Sequence, residues 1–193
     1  MPDTSTPQAI FLVGFMGAGK TTVGQALGRR LGWGFEDLDH RIERARGRTV
    51  AEIFRDLGEP AFRRAERAAL TDVIEELRGG SARIVALGGG AFAKKENAAM
   101  LRASGALTIF LDAPVEELWQ RCSAQSSETG AERPLLRSSE EFRRLYAVRR
   151  ENYSKAALTI QTGSRAVEAI VAEIAGTLGL KEIATRTEQG DFE

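Results

Sequence analysis

The residues with the clearest chemistry are Gly14-Phe15-Met16-Gly17-Ala18-Gly19-Lys20-Thr21, which fit the pattern G-x-x-x-x-G-K-[ST]. A short apolar run, Ile10 to Val13, precedes them, and apolar residues at helical spacing run from Lys20 to Leu31 after them. The pattern therefore sits where a strand gives way to a helix. Phosphates carry several negative charges, so a chain that binds them must curl tightly enough to offer many backbone N–H groups at once. Glycine permits that curl, and the helix N-terminus that follows adds a favourable dipole. The expected ligand is a nucleoside triphosphate, with Lys20 on the β- and γ-phosphates and the Thr21 hydroxyl on Mg2+. Gly17, Ala18, Gly19 and Thr22 complete the cradle.

Phosphoryl transfer also calls for a carboxylate near the metal. Asp37-Leu38-Asp39 closes a strand candidate, Phe35 to Asp37, and alternation along an extended segment would turn both carboxylates to one side. Asp37 would assist the metal, while Asp39 would meet an acceptor hydroxyl and also cap a helix from His40. Asp112 follows a strand too, but Ala113-Pro114 comes next and Asp37 is preferred for the metal. Gly88-Gly89-Gly90 at another strand end would let a small molecule lie against bare backbone. Arg63 and Glu66, at i and i+3, could form an oriented guanidinium fork for a carboxylate, and Arg149, four residues before Tyr153, could converge on the same group. His40, Cys122, Trp33 and Trp119 read as structural residues.

These groups need elements to hold them. Thr49 and Glu52 form a capping-box pattern ahead of Val50, Ile53, Phe54 and Leu57. Pro60 suits the first turn of a longer helix that ends at Gly79-Gly80. Strands are predicted at Arg83 to Leu87, Leu107 to Leu111 and Leu158 to Ile160. Helices are predicted at Lys95 to Ala103, Val115 to Arg121, Glu140 to Asn152 and Val167 to Leu178. Ser123 to Glu132 is polar and without apolar period. Repeated strand-then-helix order argues for an α/β fold of three layers, a central parallel sheet of about five strands between helices.

Taken as a set, residues 14 to 24, Asp37-x-Asp39, Ile42-Glu43, Gly47, Glu52-Ile53-Phe54, Gly58-Glu59, Phe62-Arg63-x-x-Glu66, Gly88-Gly89-Gly90, Arg133-Pro134-Leu135-Leu136 and Arg149-x-x-x-Tyr153 resemble the shikimate kinases, P-loop enzymes related to the nucleoside-monophosphate kinases. The resemblance runs from about Ile10 to Arg165. It implies transfer of the ATP γ-phosphoryl group to the 3-hydroxyl of shikimate, a step of chorismate and aromatic amino-acid biosynthesis. It implies that Asp39, Arg63, Gly89 and Arg149 hold shikimate, flanked by Gly88 and Gly90, and that Asp37 serves Mg2+ through water. It also implies that Arg133 belongs to a mobile lid, about residues 122–137, and reaches the ATP phosphates, and that Arg121 and Arg165 lie near the adenine. The stretch Cys122 to Glu132 is several residues longer than is common in the family and poor in basic residues. Alternatives are another small-molecule kinase, such as a gluconate or nucleoside-monophosphate kinase, and a non-catalytic sensor of nucleotide and acid.

The chain has 193 residues, the size of one ordinary domain, with 42% apolar and 28% charged residues. No apolar run approaches the ~20 residues of a membrane span. The 27 basic and 27 acidic residues cancel, which gives no global pull towards nucleic acid or an anionic membrane. A single cysteine and an N-terminus without a leader pattern point to a reducing cytoplasm. The expected form is a monomer with an ordered body over about 9–180 and frayed ends.

Overall fold

The computed structural model describes residues 7–129 and 138–180. Five strands, β1 (Ala9–Val13), β2 (Gly34–Asp37), β3 (Arg83–Ala86), β4 (Leu107–Asp112) and β5 (Leu158–Gln161), form one sheet in the order β2-β3-β1-β4-β5. Every pairing is parallel. A parallel sheet is covered on both faces, so its inner strands read as continuous apolar runs. Accordingly β1 is buried along its whole length. The register brings the C-terminal ends of the strands together: Asp37 pairs with Ala86, Leu12 with Ala86, Val13 with Phe110 and Asp112 with Gln161. In such sheets ligands bind beyond the carboxyl ends of the strands.

The described residues also form seven helices, the first six between strands and the last after β5: α1 (Lys20–Leu31), α2 (Leu38–Arg46), α3 (Val50–Leu77), α4 (Lys95–Ala103), α5 (Val115–Thr129), α6 (Ser139–Tyr153) and α7 (Val167–Thr177). The capping box at the start of α3 is present in full, with the Thr49 side chain bonded to the Glu52 backbone N–H and the Glu52 carboxylate returning to the Thr49 backbone. Gly58, at φ 78° and ψ 167°, breaks α3 two residues before Pro60. This gives the short and long helices that the apolar spacing predicts.

Two expectations are corrected. Asp39 does not cap a helix from His40: α2 begins at Leu38, and Asp37 is its cap, accepting from the Asp39 N–H at 3.0 Å. A carboxylate on an extended residue reaches the amide two residues on, and Asp37 closes the strand that supplies that geometry. The polar stretch after Arg121 is helical as far as Thr129. It holds neither glycine nor proline before Gly130, so nothing stops the helix. The first part of the expected lid is thus the end of α5, and its remainder, with Arg133, lies outside the described residues.

At the outer strand β2, Glu36 accepts hydrogen bonds from Arg41, Arg44 and Arg83, and Glu76 accepts from Arg41 and Arg83. Among the described residues, no helix is long and apolar enough to cross a membrane.

Candidate active site

The loop from Gly14 to Gly19 leaves β1 and enters α1, whose N-cap, Gly19, is left-handed and contributes no side-chain hydrogen bond. The first N–H groups of a helix have no partner within it, so this end presents donors and a positive dipole. The loop is seated on α5. Gly17 has φ 78°, and a Cβ placed there would lie 2.9 Å from Cys122 Sγ and 3.0 Å from the Leu118 carbonyl oxygen. Only glycine fits. Lys20 donates to the carbonyls of Gly14 at 3.0 Å and Phe15 at 2.9 Å. The Thr21 hydroxyl donates to Asp37 Oδ2 at 2.9 Å, so one carboxylate caps α2 with one oxygen and meets the loop threonine with the other.

Asp39 lies beside this pair, in the first turn of α2, and its Oδ1 is a buried oxygen without a hydrogen-bond partner. Burial, reinforced by the Asp37 charge and opposed by Lys20, pushes its carboxyl up to about 6. Burial also lowers the Lys20 ammonium, against the pull of Asp39 and Asp37. The two aspartates and the lysine thus share one electrostatic site. Cap geometry rather than strand alternation brings the carboxylates together.

Each glycine of the triple-glycine turn faces one of the groups that sequence reasoning singles out. A Cβ at Gly88 would lie 2.6 Å from Asp39 Oδ1; one at Gly89, 3.6 Å from an Arg149 terminal nitrogen; one at Gly90, 2.7 Å from an Arg63 terminal nitrogen. The Gly89 position also lies 3.8 Å from the Gly14 carbonyl oxygen and from the Met16 nitrogen, so the turn rests against the phosphate loop. Arg63 is held by Glu66 at 3.0 Å and Glu59 at 3.0 Å. Glu66 is buried, which raises its carboxyl, while Arg63 pulls it down. Arg149 has no carboxylate partner among the described residues, and its guanidinium sits 5.7 Å from the centre of the Phe15 ring. The Tyr153 hydroxyl donates to the Gly89 carbonyl and holds the turn in place. Burial pushes that phenol up to about 12, so it remains a donor at neutral pH.

On the other side of the loop a cleft of 410 Å³ is lined by Gly17, Gly19, Thr22, Arg121, Thr162 and Arg165. Arg121 donates to the carbonyls of Gly17 and Gly163 and pairs with Glu117 at 3.2 Å. Arg165 donates to the Gln161 carbonyl at 2.8 Å and pairs with Glu173 at 2.6 Å. Both arginines therefore flank the predicted nucleotide cleft, and Ala18 lies in the same lining. His40 is exposed and Cys122 buried, in keeping with structural roles.

Sequence reasoning misses Phe15. Its ring packs edge-on against Phe142 and Tyr146 of α6 as well as under Arg149. Its place at a variable position of the loop pattern carries no signal. Asp112, passed over as a metal ligand, has a different use: it accepts from Tyr146, Arg150 and Gln161.

The model of the shikimate kinase family matches residues 16–179. The chain belongs to the shikimate kinase family. A shikimate kinase of Persephonella marina is 38% identical over 170 residues, which cover 88% of this chain and 98% of that one. Among solved structures, the shikimate kinase from Acinetobacter baumannii in complex with shikimate superposes with a TM-score of 0.76 at 36% identity, covering 92% of this chain and 96% of that one. The shikimate kinase of Aquifex aeolicus gives 0.75 at 34% identity, covering 89% and 96%. The residues matched by the family model run from within the phosphate loop through β2, β3, β4 and β5 to the end of α7.

Proposed function

We propose that this chain transfers the γ-phosphoryl group of ATP to the 3-hydroxyl of shikimate. The observation that carries this reading is the triple-glycine turn: its three positions face an aspartate with an unpartnered oxygen, Arg149 and Arg63, and it lies against a phosphate-binding loop. A small ring bearing one carboxylate and one reactive hydroxyl suits that arrangement. Arg63, fixed by Glu59 and Glu66, and Arg149 would grip the carboxylate from two sides. The hydroxyl would then meet Asp39.

Thr21 and Asp37 offer a hydroxyl and a carboxylate, hard oxygen donors of the kind Mg2+ takes alongside water and phosphate oxygens. They would hold the ion, Asp37 through water, and Mg2+ would there supply positive charge to offset that of the triphosphate. Lys20 would leave its loop carbonyls for the phosphate oxygens. Gly17, Ala18, Gly19 and Thr22 would cradle them, and Arg121 and Arg165 would flank the base. Asp39 aligns the hydroxyl for in-line attack on phosphorus and takes its proton as the new P–O bond forms and the bond to ADP breaks. The family resemblance adds Arg133 to the phosphates.

Purified protein with Mg-ATP and a panel of shikimate, gluconate and nucleoside monophosphates tests this. Phosphorus NMR should show shikimate 3-phosphate and no other ester, and a well-folded protein that leaves shikimate untouched would overturn the reading. Arg63→Ala should raise the shikimate KM at least tenfold, as expected for losing a bidentate charged contact of about 1.5–3 kcal/mol. An unchanged shikimate KM would remove Arg63 from the site.

A further inference from the structure

Arg63 is braced by two carboxylates, whereas Arg149 has none among the described residues and rests on the Phe15 ring and on Tyr153 of its own helix, so the placement of its guanidinium depends on how that helix lies. Helix α6 packs on the phosphate loop through Phe142 and Tyr146, both edge-on to Phe15. Edge-on ring pairs of this kind contribute about 0.5–1.5 kcal/mol each beyond their buried area, a modest hold on the orientation of a whole helix. A helix with its side chains is about 10–12 Å across, so a turn of about 20° about its axis would carry a guanidinium about 2 Å. A misplacement of about 1 Å can cost about a hundredfold in rate.

Besides the bond from Tyr153 to the Gly89 carbonyl and the Arg143–Glu116 pair, α6 is tied to the sheet at Asp112. This residue ends β4 and is 3% exposed. Its Oδ2 accepts from an Arg150 terminal nitrogen at 2.6 Å and from Gln161 at 3.2 Å, and its Oδ1 accepts from the Tyr146 hydroxyl at 3.0 Å and Arg150 Nε at 3.4 Å. Its backbone carbonyl accepts from the Thr162 N–H at 2.7 Å and hydroxyl at 3.1 Å. One sheet residue is thereby tied to two residues of α6, four apart on one face, that bracket Arg149. Burial alone would raise the Asp112 carboxyl, but the bonds from Arg150, Gln161 and Tyr146 outweigh it and hold the group ionised.

We propose that Asp112 is a positioning residue for shikimate, which through Tyr146 and Arg150 fixes the rotation of α6 and so the place of the Arg149 guanidinium beside Gly89. The inference rests on the function proposed above. Arg150 is half-exposed, and Tyr146 and Gln161 still donate to Asp112 when it is replaced, so Arg150→Gln is a milder change than replacing the buried Asp112.

The test is a mutant cycle on the full chain, read by steady-state kinetics, ADP affinity by calorimetry, and thermal melting. Arg150→Gln, Asp112→Asn and the double variant Tyr146→Phe with Arg150→Gln should each raise the shikimate KM about fivefold to fiftyfold, with ADP affinity kept within about twofold, the range of a contact coupling of 1–2 kcal/mol. Arg150→Lys should recover part of the loss. In an Arg149→Ala background, Arg150→Gln should raise the shikimate KM no further, because the residue through which it acts is gone. Effects that add in that background, or ADP affinity that falls in step with shikimate affinity, would overturn the proposal. If Asp112→Asn does not fold, Arg150→Gln and its cycle with Arg149→Ala decide between the same two outcomes. Absence of shikimate turnover in the wild type would remove the proposed function and this inference together, whereas turnover with additive effects removes this inference alone.

Discussion

Asp39 is costly to keep. Its carboxyl titrates at about 6 instead of 3.8, chiefly because it is buried. A folded pKa above the unfolded one means that between those values the native chain holds a proton the unfolded chain has released. Stability therefore falls as pH rises from about 4 to about 6, and the deficit persists above. At about 1.4 kcal/mol per unit the deficit is about 3 kcal/mol. Asp39→Asn is accordingly expected to melt higher than the wild type at pH 8, with the gap closing below about pH 4, while turnover is lost. Equal melting at pH 8 would contradict a buried charge here. Wild-type kcat should rise with pH through about 6 as the base ionises. Gly88→Ala makes the complementary case: the added carbon would sit 2.6 Å from Asp39 Oδ1. The carboxylate must give way, so kcat should fall about a hundredfold, with melting temperature and ADP affinity almost unchanged. The residue types of this site are legible in the sequence because glycine, lysine and aspartate at fixed spacing admit few other uses. Which aspartate caps α2 is not, since that depends on where β2 ends.

The helices show both sides of this legibility. Thr49 and Glu52 announce the start of α3 by side-chain chemistry alone, and the structure has both bonds. Thr49→Ala should cost about 1 kcal/mol, or about 2–4 °C of melting temperature in a chain of this size, without altering kcat. A larger loss would mean that the first turn of α3 carries more than its own cap. The bounds of α1 and α4, Lys20–Leu31 and Lys95–Ala103, match the apolar period residue for residue. Helix α5 outruns its prediction because the sequence from Ser123 to Thr129 has no apolar period, the one signal a reading by periodicity uses. The role of α6 is also hidden. Arg149 can be named from its spacing to Tyr153, but the bonds of Tyr146 and Arg150 to Asp112 join segments 34 and 38 positions apart. No local pattern encodes them.

The chain as a unit has no net charge, so nothing beyond the site draws anionic ligands towards it. Their binding energy must come from the strand ends. Mg-ADP at a hundredfold above its dissociation constant should add about 2.7 kcal/mol and lift the melting temperature by about 5–10 °C. Lys20→Ala should abolish most of that shift, and a full shift in the variant would place the nucleotide elsewhere. The same strand ends had to be exposed on one side without leaving the sheet open at its border. There the Glu36 cluster answers a different need. A second copy adding a strand past β2 would bring its backbone up to the charged groups of Glu36, Arg41, Arg44 and Arg83, which would lose water in the contact. Strand addition at that border is thereby discouraged by a carboxylate that takes no part in the chemistry.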